Sequence, residues 1–412
     1  MSEEKPLTHG EYQAAGLYLI ELIRCALQEE MPKKKPDTCT WEQIWQIAAG
    51  SKVESSAWPA VQKLMDTDIP AELAAKWKTR ADAVLYRQLQ FDMEREKILA
   101  ELRNAGISYL PLKGINLQKY YPKPGMRYMC DNDILYGYVE ADPSGGYRIK
   151  GENEEEQSIS VNKAQSVLDT IMKKMGYTPG KFICNHDEYT REPFFNFEMH
   201  RDLLLQLHEK YFYYQNPWKS AVRSDENSFS YYFRDEDEYL YQIVHAFKHY
   251  NVAGSGLRTL VDEYVFLKKK SSLDWKYIQE EIRKLQLTEF EQQMRETAMH
   301  AFSADCKLTE EDCERICYMM NAGTYGTMKN RVLNKIEKIE KESESSPGKA
   351  RARYIGSRIW KTEEEMKILY PYFYQHKSIR WFLPVWRLLK GIKAHPGRLI
   401  KELEIIFRSK NS

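Results

Sequence analysis

Asp131 and Asp133 stand two residues apart in YMCDNDILY, a segment whose apolar residues read as a strand. Side chains alternate along a strand, so both carboxylates fall on one face. Two like charges that close repel unless something neutralises them. A hard divalent cation such as Mg²⁺ does this through oxygen ligands. D-x-D by itself is a short acidic pattern, equally at home in a turn. A second segment narrows the reading. In FFNFEMH, Phe195, Phe197 and Met199 alternate with Asn196, Glu198 and His200. One face is apolar and the other carries a carboxylate between two polar groups. Laid beside the first strand, Glu198 becomes a third metal ligand; taken alone, the segment is an exposed strand face. Three carboxylates on adjacent strands can hold two Mg²⁺ (or Mn²⁺) ions about 3.5–4 Å apart, which activate an attacking oxygen and steady a leaving pyrophosphate.

Lys113 and Gly114 sit where a short strand, ISYLPL, gives way to a helical stretch, INLQKYY. Gly permits close backbone approach, and free amides at a helix start suit a phosphate, to which Lys113 adds positive charge. Any tight turn also uses a Gly. Arg127 precedes Asp131 by four residues and is read either as a phosphate contact or as a partner of the carboxylates. His245 and His249 share a helix face; they read as packing against the α/β module, with nucleotide or acceptor contact second. Arg258 and Asp262 have the spacing of a helix ion pair. Cys306, Cys313 and Cys317 lack the C-x-x-C spacing of a zinc site.

The elements that must position these groups follow from periodicity. Apolar residues at helical spacing mark helices over 8–30, 41–50 (after Thr40 as cap) and 70–105, the last stopping at Gly106. Residues 107–112 and YMCDNDILY are strands, and 137–158, rich in Gly, Glu and Ser, is an exposed insertion. A helix covers 161–177, and HDEYTREPFFNFEMH forms a hairpin of two strands. Helices then run from about 235 to the end, interrupted at 321–327 and 341–349. This gives an α+β chain with an N-terminal helical region (1–105), an α/β core (106–205) and a C-terminal helical region (206–412). The chain has 412 residues, 29% charged, with net charge +1. That near-balance excludes a global basic field for nucleic acid. No run approaches the ~20 apolar residues of a membrane span, and no secretory signal is read. Seven scattered cysteines suit reduced thiols in a cytoplasm. The aromatic and basic tail, WFLPVWRLLKGIKAHPGRLIKELEIIF, is expected to pack as an amphipathic helix rather than touch a membrane or RNA.

The run LPLKGINLQKYYPKPGMRYMCDNDILY resembles the uncharacterised nucleotidyltransferase family of bacteria, a branch of the DNA polymerase β-like superfamily. Lys113, Gly114, Tyr121, Pro122, Arg127, Met129, Asp131, Asp133 and Leu135 fit its pattern. Glu198 and His200 fit its carboxylate-x-His strand. His245, His249, Gly256, Arg258 and Asp262 fit its helical stretch, Gly256 less closely. The resemblance spans about 75–395 and leaves the first 70 residues unplaced. It implies a small polymerase β-like core sheet flanked by helical regions. The implied reaction is Mg²⁺-dependent transfer of a nucleoside monophosphate from an NTP, such as ATP, to an unknown acceptor: a small molecule, a protein or an RNA end. Asp131, Asp133 and Glu198 would be the catalytic and metal-binding residues, with Glu198 also the base. Lys113, Gly114 and Arg127 would bind the nucleotide, and His200, His245, His249 and Arg258 would contact acceptor or nucleotide. Two departures stand out: Gly114 is followed by Ile115 where the superfamily has Ser, and the D-x-D strand runs into the 137–158 insertion. The rivals are a catalytically inactive nucleotide-binding or protein-interaction scaffold and a D-x-D glycosyltransferase, whose fold would place a parallel α/β domain ahead of the D-x-D.

Overall fold

Among the described residues, nine strands carry the sheet elements: β1 (Ser108–Pro111), β2 (Asn132–Gly137), β3 (Val139–Ala141), β4 (Tyr147–Ile149), β5 (Thr178–Pro179), β6 (His186–Arg191), β7 (Phe195–His200), β8 (Ala221–Arg223) and β9 (Tyr231–Phe233). In this computed structural model, which describes residues 9–64, 69–180, 185–305, 307–324, 326–394 and 396–408, five of them form the central sheet. Its order is β1-β2-β7-β6-β5. β1 lies antiparallel to β2, β2 parallel to β7, and β6 and β7 pair as the expected hairpin. The register sets Asp133 directly beside Glu198. β2 is buried along its whole length. Ile134 and Tyr136 enter one core with Phe197 and Met199 of β7, while Leu135 enters another with Leu110 and Trp218. Its apolar residues run together because both faces are covered.

The helices ahead of the sheet are α1 (His9–Gln28), α2 (Trp41–Ser51), α3 (Glu54–Val61) and α4 (Ala71–Asn104). Thr40 caps α2 in a capping box with Gln43. α4 is the spine. Its first turns place Leu73, Ala74 and Trp77 among α1–α3, and its last turns place Phe91, Ile98, Leu99 and Leu102 under the sheet. Within the sheet region follow α5 (Gly114–Leu117) and α6 (Glu154–Lys174). After it come α7 (Asp235–Ala253), α8 (Arg258–Lys269), α9 (Trp275–Lys284), α10 (Thr288–Phe302), α11 (Glu310–Ala322), α12 (Met328–Ser343) and α13 (Pro347–Ile359), then α14 (Glu363–Leu369), α15 (Pro371–Gln375), α16 (Leu383–Ala394) and α17 (Pro396–Arg408). Residues of α8, α10 and α11 share one core with α1–α3, so the helices on either side of the sheet pack on each other.

Several expectations change. INLQKYY is one α turn followed by a 3₁₀ turn over Gln118–Tyr120, because Pro122 drives Tyr121 to extended backbone. The insertion holds the β3–β4 hairpin, and α6 begins at Glu154, seven residues early. Asn153 caps it, accepting from the Glu156 amide, and three glutamates fill its first turn. Ile159 there stays exposed, so this end lacks the apolar periodicity that marks the rest. The β8–β9 pair was not expected in a stretch read without strands. Asp262 pairs with Arg127, not with Arg258. The tail buries Leu383 and Ile406 but leaves Val385, Leu388, Leu389 and Ile392, one face of α16, exposed to solvent. Among the described residues no helix is long and apolar enough to cross a membrane. Cys184 and Cys306 lie outside them, and Cys25, Cys39, Cys313 and Cys317 are free thiols.

Candidate active site

A cleft of about 400 Å³ opens at the ends of β2 and β7, walled on the far side by α7 and the start of α8. Asp131, Asp133, Glu198, Lys113, Gly114, Arg127, His200, His245, His249 and Arg258 all line it. Every residue singled out in the sequence for the site therefore faces one space. Nothing from 137–158 is among its lining residues.

The acidic floor is held from behind by α4. Arg87 donates from Nε to the Met129 carbonyl (2.8 Å) and from Nη2 to those of Cys130 (2.9 Å) and Phe194 (3.1 Å). Arg95 donates to Asn132 Oδ1 (3.0 Å), the residue between the two aspartates. Asp131 lies just ahead of the strand and Asp133 inside it. Asp133 Oδ1 accepts from Lys113 Nζ at 2.5 Å and lies 2.8 Å from His200 Nε2. Burial works against its charge, but Lys113 and His200 outweigh it and hold this carboxyl well below the usual range. Burial, and then the charge of Asp133, raise the Asp131 carboxyl. Burial, with Asp133 and Asp131 close by, pushes Glu198 up to about 8. Like charges directly opposed on neighbouring strands cost free energy, so the cluster carries more negative charge than Lys113 offsets.

Lys113 has φ +50° and ψ −120°, a conformation side chains other than glycine rarely adopt. The ammonium is thereby aimed at Asp133 from the turn itself. The amides of Ile115, Asn116 and Leu117 bond within the turn, to the carbonyls of Leu112 and Lys113. The open helix start expected there is thus mostly closed. Gly114 is needed for a different reason from phosphate approach: a Cβ on it would lie 2.5 Å from Arg127 Nη1 and 3.0 Å from Met129 Sδ. The Arg127 guanidinium lies directly against this turn. It is gripped by Asp262, Nε to Oδ1 at 2.7 Å and Nη2 to Oδ2 at 2.9 Å. Tyr121 also donates to Asp262 (2.9 Å). Gly125 brings the intervening loop onto α4, its amide donating to Gln88 at 2.6 Å. Arg258 donates to the Tyr128 carbonyl at 3.0 Å.

The opposite wall is one stripe of α7. Tyr241, His245, Lys248 and His249 recur at helical spacing on a single face. The two imidazoles touch, with ring centroids 4.5 Å apart. Burial lowers both, His249 to about 4, and burial with Lys113 nearby lowers the Lys248 ammonium. Tyr241 and Lys248 were missed in the sequence, although their spacing from His245 was legible. His186 was also missed. It lies on β6 opposite His200, and a partner across a hairpin becomes visible only once the register is known. The nitrogens of His186 and His200 and an oxygen of Glu198 lie within 4.8 Å of one another.

The sequence model of a family described as "Uncharacterised nucleotidyltransferase" matches residues 37–142 and 160–303. The match begins well ahead of residue 75, ends before the tail, and passes over 143–159, inside the stretch read as an insertion. No curated protein and no solved structure matches the chain. More than half of the sequence fits that model, and the cleft carries its acidic residues on a mixed α+β core: the chain belongs to the uncharacterised nucleotidyltransferase family.

Proposed function

We propose that the protein transfers a nucleoside monophosphate from an NTP to an acceptor hydroxyl or phosphate in this cleft, with Mg²⁺ held by Asp131, Asp133 and Glu198. The observation that carries the reading is the pairing of Asp133 with Glu198 on adjacent parallel strands, beside Asp131, at the floor of one cleft. The donor set fits the ion. All three ligands are carboxylates, which suit a hard cation, and their crowding lifts Asp131 and Glu198. Among the described residues, five carboxylates and four cationic side chains line the cleft, so a triphosphate is helped to enter by accompanying cations. The bound ions would neutralise phosphate charge and lower the pKa of an attacking oxygen.

The chain's own groups then have separate tasks. Lys113 holds Asp133 in place and presents its ammonium to the donor phosphates. Lys248 and Arg258 face the cleft from the other wall, where they complement negative charge. Arg127 acts through the turn it supports, positioning Gly114 and Lys113. Glu198, poised near neutrality, is placed both to ligate and to accept the acceptor's proton. His245 and His249, uncharged at neutral pH, line the space left for acceptor or base. Catalysis by such a set is positioning and charge stabilisation. A D-x-D glycosyltransferase would carry a parallel α/β domain ahead of β1; here the described residues before β1 are helical.

The test is a thermal-shift panel of wild type and an Asp131→Ala, Asp133→Ala double variant with ATP, CTP, GTP and UTP, with and without Mg²⁺. A ligand at 100 times its dissociation constant adds about 2.7 kcal/mol. A Mg²⁺-dependent rise with one NTP, absent from the variant, supports the reading and selects the label for an acceptor search. A rise without any transfer of α-labelled nucleotide supports a scaffold. No rise with any NTP overturns the donor assignment.

A further inference from the structure

Beside the carboxylate floor lies a donor set of different chemistry. His186 Nε2 and His200 Nε2 each stand 3.7 Å from Glu198 Oε2. The three side chains come from two paired strands, with His186 in register with His200 and Glu198 two residues back on the same face. For ligands at about 2.0–2.2 Å from a tetrahedral ion, donor-to-donor separations fall near 3.4 Å. Both His–Glu198 separations are close to that value, and all three donors lie within 4.8 Å of one another. Two imidazoles and a carboxylate are the donor set of three-ligand zinc sites that keep a position open, and nitrogen donors favour late first-row ions over Mg²⁺.

The surroundings fit the same use. A metal-bound imidazole commonly donates its other N–H to a carbonyl or carboxylate, and His200 Nδ1 faces the Asp202 carbonyl at 3.4 Å. His200 Nε2 lies 2.8 Å from Asp133 Oδ1; the tautomer that donates there would leave Nδ1 facing that carbonyl without a proton. Binding at Nε2 moves the proton to Nδ1, and the ring is then satisfied on both sides. Asp133 Oδ1, 2.8 Å from His200 Nε2, is the neighbouring oxygen that would face the ion's open side. His186 Nδ1 is buried without a hydrogen-bond partner among the described residues.

We propose that Nε2 of His186, Nε2 of His200 and Oε2 of Glu198 form a site for a late first-row divalent cation, of which Zn²⁺ is the type, distinct from the oxygen-only Mg²⁺ position at Asp131 and Asp133. The proposal rests on the nucleotidyltransferase reading only in its consequence. With such an ion in place, Glu198 is a carboxylate shared between two cations and is a ligand rather than the base.

The experiment uses the full chain stripped with EDTA. Zn²⁺ is titrated by calorimetry, and Co²⁺ is added in parallel as a spectroscopic probe whose visible bands strengthen when it is four-coordinate. Wild type should take one Zn²⁺ per chain that excess Mg²⁺ does not displace, and Co²⁺ should show the strong bands. His186→Ala should weaken Zn²⁺ by at least about tenfold, as expected from metal sites that lose even a supporting partner, and lose the Co²⁺ bands. His186→Asn gives a second reading should the alanine variant melt early. Both variants should keep the Mg²⁺–NTP thermal shift. Zn²⁺ binding unchanged in a folded His186 variant overturns the proposal, as do displacement by Mg²⁺ and a Co²⁺ spectrum like that of the aqueous ion. If no NTP shifts wild type while Zn²⁺ binding still depends on His186, the nucleotide reading falls and the metal site stands.

Discussion

Asp262→Asn should be among the most damaging single substitutions in the cleft, although Asp262 belongs to a helix far along the chain from the D-x-D. Both members of the Arg127–Asp262 pair are buried, with side chains 8% and 9% exposed. The amide keeps the shape but leaves the guanidinium without a counter-charge, and breaking a buried pair from one side costs about 3–5 kcal/mol. Unfolding entropy near the melting point is roughly 2.1 cal/mol/K per residue, which over 412 residues is about 0.9 kcal/mol/K. The expected drop in Tm is therefore about 3–6 °C. Arg127→Met should fall by a similar amount. The double variant Arg127→Met, Asp262→Leu should recover most of the loss, because an apolar replacement of a whole buried pair is often neutral. Tyr121→Phe, which removes one hydrogen bond to Asp262, should cost about 1 kcal/mol. Differential scanning fluorimetry on wild type, Arg127→Met, Asp262→Leu and the double variant closes a double-mutant cycle. Asp262→Asn melting within about 1 °C of wild type would show that the pair does not hold the floor of the cleft, and the positioning role given to Arg127 would go with it.

Gly114→Ala should lower stability by about 1–3 kcal/mol, since the added methyl meets Arg127 and Met129, and should weaken the NTP thermal shift; an unchanged shift would separate the turn from nucleotide binding. Asp131→Asn in metal-free protein should melt no lower than wild type at pH 8, because burial and Asp133 already disfavour its charge, yet should lose turnover; a clear fall in Tm would mean that the carboxylate is stabilised by something unseen here. Glu263 is buried against Tyr239 and Glu291, and burial raises it to about 8. An acid raised on folding favours the native state fully below its unfolded pKa, near 4.5, and loses that contribution as pH rises through 8. Glu263→Gln should therefore flatten the fall in Tm between pH 5 and pH 9 in urea-melt or scanning measurements; a slope equal to that of wild type would refute the assignment.

What was legible in the sequence was what repeats locally. The long helix ending at Gly106 announced itself by period. β7 announced itself by alternation, and that alternation already put Glu198 and His200 on the polar face. The groups that escaped depend on pairing between distant segments. His186 acquires meaning from its register with His200, and Arg127 finds Asp262 135 residues away, a partner no spacing rule supplies. The spacing rule that was applied, Arg258 to Asp262 at one helical turn, gave way because Asp262 faces inward to a buried guanidinium while Arg258 reaches a backbone carbonyl. The early start of α6 was hidden for the opposite reason: its first turns are solvated, so only the Asn153 cap and the glutamates behind it carried the signal.

The strained Lys113 backbone ties these strands of argument together. A lysine at φ +50° persists only where the surroundings over-determine it, and here three constraints meet. Gly114 admits the Arg127 guanidinium from one side, Asp262 fixes that guanidinium from α8, and Asp133 draws the ammonium to 2.5 Å. The same ammonium occupies the oxygen of Asp133 that also faces His200, so the lysine, the imidazole and any bound cation compete for one carboxylate. In the proposed reaction, a nucleotide arriving with its ions would offer Lys113 a second anion, the phosphate, and release Asp133 to ligate. Donor binding and completion of the metal floor would then be coupled through one side chain. Lys113→Met should separate them, leaving divalent-ion binding at least as tight as in wild type while weakening the NTP shift. Loss of both together would place Lys113 in the structural support of Asp133 instead.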